Sequence, residues 1–209
     1  MENDRRVVYI LLTDTGTLFT KMIKRFTNAP YNHVSIVFDE KLDEIYSFGR
    51  KRPKNPLIAG FIKEDVYYGT YRYYYNTRCL LLKTEITEVE YISIRDKIRM
   101  FENNKEIFSY NLFGLIGVLF RYPIAKRNAY FCSQFVAEVL KESGLNLWEL
   151  PSALVTPNDF LIHPRFECVY EGKLYDYPLL DETILSSTNV NRNFFHVKPL
   201  AVLKKLLPL

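Results

Sequence analysis

The sequence predicts an α+β fold in which a small antiparallel sheet packs against helices. Its apolar segments come in an irregular order: a strand and a helix first, then strands, then helices, and finally short strands. This order lacks the regular strand–helix alternation of a parallel sheet. The chain has 209 residues, 48% of them hydrophobic, so it can bury one sizeable core. We therefore expect one domain over residues 1–177 and a C-terminal extension over 178–209.

Short apolar runs and turn residues predict the elements of the first part of the chain. Residues 7–12 form a continuous apolar run, which is typical of a buried strand. Apolar residues at helical spacing predict a helix over residues 17–27. Residues 33–38 and 44–48 predict a hairpin, and the basic, proline-containing segment 49–60 predicts a loop.

Helix signals dominate the middle of the chain. After a predicted strand over residues 78–83, Thr87 and Glu90 have the spacing of a capping box. An apolar face continues from there and predicts a helix that ends near Asn103. Residues 112–120 are apolar all round, which predicts a buried helix.

A further helix and a hairpin are predicted towards the C-terminus. Asn128 is a suitable N-cap and Gly144 a suitable C-terminal glycine, so we expect a helix over residues 128–143. Residues 166–170 and 173–177 predict a closing hairpin around a Glu-Gly turn.

Composition and charge narrow the functional classes. The net charge of +4 and the pI of about 8.8 are no argument for nucleic-acid binding. The three cysteines form no Cys-x-x-Cys or Cys/His cluster, so we expect reduced thiols, no structural metal and no cofactor. The sequence has no visible secretory signal and no run of about 20 apolar residues that could span a membrane. We therefore expect a cytoplasmic protein.

Cys132 lies in the first turn of the predicted helix over residues 128–143. Unpaired backbone N–H groups and the positive end of the helix dipole favour a thiolate there. The same N–H groups could stabilise a developing oxyanion. However, Val136 and Leu140 follow at i+4 and i+8, so this cysteine also fits an ordinary core position. These residues alone leave both interpretations open.

A cysteine nucleophile needs a basic partner, which is usually a histidine. The chain has three histidines: His33, His163 and His196. His33 opens a predicted strand and would be held rigidly against the N-terminus of a helix packed on the sheet. His163 precedes Pro164 in a loop, and His196 lies in the C-terminal extension. His33 is therefore the candidate base, although a histidine at the start of a strand also fits a structural role.

Two short motifs resemble a known superfamily. Residues 31–37, Tyr-Asn-His-Val-Ser-Ile-Val, resemble the His-Val-x-Ile strand of the NlpC-type papain-like superfamily. Residues 130–136, Tyr-Phe-Cys-Ser-Gln-Phe-Val, resemble its Cys-Ser-x-Phe-Val nucleophile helix. Here the histidine precedes the cysteine, an order that resembles the circularly permuted branch of YiiX-like and lecithin:retinol acyltransferase-like proteins. Residues 8–23 and 155–160 also resemble segments of that branch.

The resemblance implies a third polar residue that orients His33 from the next strand. If the hairpin turns near Lys41, Ser35 pairs with Ser47 and His33 lies near Gly49. Ser47 then shares the face of His33, because alternate residues of a strand point to the same side. We therefore predict Ser47 as the third site residue.

Two alternatives to Ser47 remain open from the sequence. A shift of one residue in the strand register would present Tyr46 instead. Glu44 is chemically the strongest partner for a histidine, but it lies nearer the turn. None of the residues that the superfamily uses at this place stands at the expected position.

The resemblance implies a cysteine-nucleophile hydrolase of permuted papain-like fold. Cys132 would attack an amide carbonyl of a small peptide, such as a cell-wall-type peptide, and form a thioester acyl-enzyme. His33 would act as general base and acid. One alternative is a thiol acyltransferase or hydrolase acting on lipid esters or amides. A second is an inactive binding module with the same fold.

Three further segments have both a functional and a structural interpretation. The tyrosine-rich residues 66–75 could line a substrate groove, but half-buried strands also favour tyrosine. The basic residues in 50–54 fit either an acidic substrate or a solvated loop. Residues 198–209 could contact a membrane peripherally, pack back onto the domain or bind a partner chain, and the oligomeric state stays open.

Overall fold

A computed structural model of the chain describes residues 5–16, 29–52 and 55–187. The strands within these ranges are β1 (Arg5–Asp14), β2 (His33–Val37), β3 (Ile45–Arg52), β4 (Asn55–Glu64), β5 (Arg78–Thr87), β6 (Ser109–Tyr110), β7 (Ala129–Tyr130) and β8 (Glu167–Lys173). The helices there are α1 (Gly69–Tyr73), α2 (Glu88–Asn103), α3 (Leu112–Leu119), α4 (Cys132–Glu142), α5 (Pro157–Ile162) and α6 (Glu182–Ser187). The predicted helix over residues 17–27 lies outside the described residues.

Six strands form one antiparallel sheet in the order β4-β3-β2-β1-β5-β8, which confirms the predicted α+β class. The central strand β1 is buried on both faces, since Ile10 and Leu11 are both fully covered. This explains its continuous apolar run. One face packs against α2 and α4, and the other packs against α1 and residues 174–180.

The hairpin of β2 and β3 has the register that the sequence predicts. Ile36 pairs with Tyr46, and Val37 pairs with Ile45. Continued along the strands, this register brings Ser35 opposite Ser47 and His33 opposite Gly49. Consistent with that pairing, a Cβ atom on Gly49 would lie 3.3 Å from His33 Cε1.

The predicted loop over residues 49–60 is wrong. β3 extends to Arg52 and pairs with β4 as far as Asn55, with an irregularity between Arg50 and Arg52. β4 is one of the two edge strands of the sheet. Charged residues and proline are characteristic of sheet edges, where they block pairing with other chains. The composition of this segment therefore resembles that of a loop although it forms strands.

Local signals placed α2 correctly but missed the start of α4. The capping box of Thr87 and Glu90 is present, as predicted. α4 begins at Cys132 with Phe131 as N-cap, whereas Asn128 has a left-handed φ of 55°. The asparagine therefore serves a turn four residues before the helix. Gly144 has φ 98°, as expected of a glycine just past a helix end.

Three further predictions are corrected by the structure. Helix α3 forms but is not buried, since Phe113 is 69% exposed. The predicted hairpin over residues 166–177 is instead the single strand β8, which pairs with β5. The tyrosine-rich residues form α1 and its flanks rather than a strand. In each case, pairing with or packing on a distant element decides the conformation, which local composition does not encode.

The described part of the C-terminal extension packs back onto the domain. Leu180 is 6% exposed, and the Asp181 N–H donates to Tyr67 Oη at 2.8 Å. Arg72 donates to the Leu185 carbonyl at 2.9 Å. The predicted membrane-contacting segment 198–209 lies outside the described residues. Within the described ranges, no helix has the length and apolar character needed to cross a membrane.

Substitution of Phe48 tests the packing between the sheet and its helices. Phe48 is fully buried and contacts the rings of Phe61, Phe101 and Phe135. We expect Phe48→Ala to lower the free energy of unfolding by about 3–5 kcal/mol, because it leaves a cavity among these rings. Urea denaturation measures this loss. Val89→Ala, at a position 78% exposed, should change stability by less than about 0.5 kcal/mol.

Candidate active site

His33 is held at the start of β2, opposite Thr13 of β1. The residue before it fixes the turn: the Asn32 N–H donates to Thr13 O at 3.1 Å, and Asn32 Nδ2 donates to Asp14 Oδ1 at 2.7 Å. The His33 side chain is 20% exposed, and its Nε2 lies 2.6 Å from Glu64 Oε1. This contact occupies one ring nitrogen and leaves Nδ1 for a second partner.

Glu64 is the last residue of β4, and its side chain is only 6% exposed. Both carboxylate oxygens have hydrogen-bonding partners. Oε1 contacts His33 Nε2 and accepts from Ser47 Oγ, and Oε2 accepts from Ser35 Oγ at 3.1 Å and Tyr71 Oη at 2.5 Å. A buried carboxylate is costly unless it is paired and hydrogen-bonded. Here four side chains from three other elements meet that requirement.

The buried pair shifts the pKa values of both partners. Burial alone would lower the pKa of His33, but the Glu64 carboxylate and the side chain of Cys132 outweigh it and raise the pKa well above its ordinary value of 6.5. Burial would raise the pKa of Glu64, but the charge of His33 and the hydrogen bonds from His33, Ser47 and Tyr71 lower it. The favoured state at neutral pH is therefore a protonated imidazole beside a carboxylate.

Cys132 is the first residue of α4, and its side chain reaches His33. It is 4% exposed, and its hydrogen bond to the His33 side chain contributes to the raised pKa of that histidine. Since α4 packs on β2 and β3, its N-terminus meets the end of β2 that carries His33. The first N–H groups of a helix lack intrahelical acceptors and point towards such a site. The two residues predicted as a catalytic pair are thus brought together.

Polar side chains fix the beginning of α4. Asn111 Nδ2 donates to the carbonyl of Ile124 at 2.8 Å and to Gln134 Oε1 at 3.3 Å. Ser133 Oγ donates to the carbonyl of Val155 at 2.7 Å. Both Ser133 and Gln134 are buried. These bonds restrict rotation and sliding of the helix, and so they hold Cys132 in position.

A cavity of about 300 Å³ opens beside the His33 ring. Residues from five strands and α1 line it, among them His33, Gly49, Arg50, Thr70, Tyr71 and Tyr110. A side chain at position 49 would crowd the ring, since its Cβ would lie 3.3 Å from His33 Cε1 and 3.2 Å from Ser47 Oγ. Burial and then the charge of Cys132 raise the pKa of Tyr110, which links this wall of the cavity to the cysteine.

The residue that contacts His33 is Glu64, which sequence reasoning missed. Ser47 lies in this cluster, but it donates to Glu64 rather than to the histidine. Tyr46 packs in the core, and Glu44 pairs with Arg95 at 2.5 Å. Glu64 belongs to β4, and the composition of residues 49–60 predicted a loop instead of this strand. No local pattern in the sequence therefore indicated that Glu64 would lie beside His33. Among the described residues, no group of three His, Cys, Asp or Glu side chains could hold a metal.

Glu64→Gln tests the electrostatic origin of the histidine shift. The glutamine keeps the shape and removes the charge that raises the pKa of His33, so this pKa should fall towards or below 6.5. Because the chain has only three histidines, ring NMR titration can follow His33 directly. Ser47→Ala should cause a smaller shift, since it leaves the carboxylate in place. An unchanged pKa in Glu64→Gln would contradict this account.

No protein-family model matches the sequence, and a search of curated proteins finds no match either. The assignment of His33, Glu64 and Cys132 to one site therefore depends on the geometry of the described residues.

Proposed function

We propose that this protein is a cysteine-nucleophile hydrolase of the circularly permuted papain-like, NlpC-type superfamily. The observation that supports this proposal is a continuous chain of polar contacts, which runs from Glu64 through His33 to Cys132 at the start of a helix. A nucleophile, a base and a group that orients the base are the minimal set for acyl transfer. An incidental core cysteine would not require a buried carboxylate–histidine pair beside it.

The proposed reaction begins with a thiolate on Cys132 and a proton on His33. The thiolate attacks the carbonyl carbon of an amide, and the backbone N–H of Cys132 donates to the developing oxyanion. His33 Nδ1 then gives its proton to the leaving nitrogen, and the amine departs from a thioester on Cys132. Water attacks this thioester while His33 accepts its proton, and the acid is released.

Glu64 is a positioning residue in this scheme. It does not touch the reacting atoms, but it holds Nε2 and so directs Nδ1 towards the thiol. Its charge also stabilises the imidazolium that must exist whenever Cys132 is a thiolate. Glu64 is the third polar group, which the sequence does not have at the position expected from the superfamily. This favours an active enzyme over an inactive binding module of the same fold.

The proposed substrate is an amide in a small peptide, such as a cell-wall-type peptide. A cavity of about 300 Å³ is at the lower end of the range for small-ligand sites. Most of its lining surface is apolar, and its polar groups include the hydroxyls of Thr13 and Thr70 and the cationic side chains of Arg50 and Lys51, which suits a small peptide with both apolar and polar parts. The second candidate substrate is a lipid ester or amide. The exposed aromatic side chains of Phe113 in α3 and of Phe120 directly after it favour this candidate.

Alkylation by iodoacetamide at neutral pH tests the Cys132–His33 pair. Cys168 is exposed and serves as a reference thiol in the same molecule, whereas Cys132 is 4% exposed. Access alone therefore predicts that Cys168 reacts faster. The proposal predicts the reverse order, by about tenfold or more, because the thiolate is the nucleophile. Peptide mapping by mass spectrometry measures both rates.

Variants separate catalysis from accessibility in this experiment. His33→Ala should remove the advantage of Cys132 without slowing Cys168. If Cys132 reacts no faster than Cys168 and His33→Ala leaves both rates unchanged, the proposed enzyme is wrong. Hydrolysis of small peptide amides and of short-chain lipid esters, with Cys132→Ala as control, then distinguishes the two substrate classes.

A further inference from the structure

Helix α3 buries its two glycines, and large apolar side chains at its start and just after its end are exposed. Gly114 and Gly117 are buried: a Cβ atom would lie 2.4 Å from Asn111 Nδ2 at the first and 2.5 Å from a backbone oxygen at the second. Phe113 and Phe120 are 69% and 77% exposed. Phe120 directly follows the last residue of α3, and its spacing of seven residues from Phe113 favours the same side of the helix. A helix on a water-exposed surface normally has the opposite arrangement.

The exposed side chains form what we call the apolar patch. Its members lie in or directly after α3: Leu112, Phe113, Phe120 and Tyr122. The Tyr122 N–H donates to the Gly117 carbonyl at 2.9 Å, so the tyrosine turns back beside the end of the helix. Clustered large apolar residues on a protein surface mark an interaction site, whereas single ones do not.

The charged residues in the sequence segment of the apolar patch are of one sign. Arg121, Lys126 and Arg127 follow the helix and are all exposed. The sequence has no Asp or Glu anywhere from residue 107 to residue 137. Arg121 lies at the end of the helix, since its N–H donates to the Val118 carbonyl at 3.2 Å. The segment that carries the apolar patch therefore has exposed cations and no acid.

We propose that the apolar patch docks on an anionic lipid bilayer. Phenylalanine and leucine can insert among acyl chains, tyrosine prefers the headgroup level, and Arg and Lys attract anionic headgroups. The outer face of the helix offers apolar side chains and no polar group that would fix the register of a protein partner. Eight residues are too few to span a bilayer, so the contact is a peripheral one.

Docking at this patch would bring the candidate active site to the lipid surface. Asn111 joins the two helices: its Oδ1 accepts from the Gly114 N–H at 2.9 Å, and its Nδ2 donates to Gln134 of α4. α4 carries Cys132 at its first residue. The docking proposal does not depend on the chemistry of that cysteine, so either proposal can fail alone.

Vesicle co-sedimentation of the full chain tests the proposal. Wild-type protein should bind vesicles of equal parts phosphatidylcholine and phosphatidylglycerol, and bind vesicles of phosphatidylcholine alone much less. Phe113→Ser with Phe120→Ser should lower partitioning to the mixed vesicles by at least about tenfold, because two buried aromatic rings are lost. Replacing Arg121, Lys126 and Arg127 by Gln should also lower it by about tenfold or more.

A second exposed apolar pair provides the matched control. Val89 and Ile92 on α2 are 78% and 50% exposed, but they lie among acidic residues, including Glu88 and Glu90. Val89→Ser with Ile92→Ser should leave vesicle binding unchanged. Thermal unfolding of each variant shows whether the fold is retained. A polar replacement on an exposed surface should not lower the melting temperature.

Two results would overturn the proposal. The first is wild-type binding that the Phe113/Phe120 double variant retains, which would assign any membrane contact to another part of the chain. The second is no vesicle binding together with a concentration-dependent dimer that the same variant abolishes. Sedimentation velocity detects that dimer, and it would make the apolar patch an interface between two copies of this chain.

Discussion

The buried carboxylate of Glu64 is the constraint on which the arrangement of the candidate site depends. An unpaired charge with 6% exposure would be strongly destabilising. Its partners come from β2, β3 and α1, so satisfying this charge fixes three elements relative to β4. Tyr71 is one example, because the short helix α1 has to place its hydroxyl against Oε2. The Glu64 carboxylate of the candidate site thus also links these elements of the fold.

The orientation and the charge of His33 both follow from this carboxylate. Glu64 occupies Nε2, so the other ring nitrogen is the one available for the hydrogen bond with Cys132 at the start of its helix. Gly49 leaves room for the ring, and Asn32 holds the turn before it. The helix is in turn fixed by Asn111 through Gln134. These residues all help to position Cys132 and His33 relative to each other, although they are far apart in the sequence.

The sequence predicted those parts of the site that depend on local patterns. The register of the β2–β3 hairpin followed from one turn, and it correctly placed Ser47 on the side of His33. Glu64 could not be found in this way, because its strand has the composition of a loop and its position depends on pairing with β3. The same limit explains why the burial of α3 was predicted wrongly. Hydrophobicity predicted a buried helix, but only the tertiary packing of Gly114 and Gly117 reveals which face turns inward.

Acyl-enzyme trapping tests the central claim most directly. The protein is exposed briefly to an activated ester at neutral pH, quenched in acid and mapped by mass spectrometry. The account predicts one acyl group on Cys132, none on the buried Cys79, and slower acylation in both His33→Ala and Glu64→Gln. Acylation that follows exposure, with Cys168 modified first and Cys132 unmodified or indifferent to both variants, would contradict it.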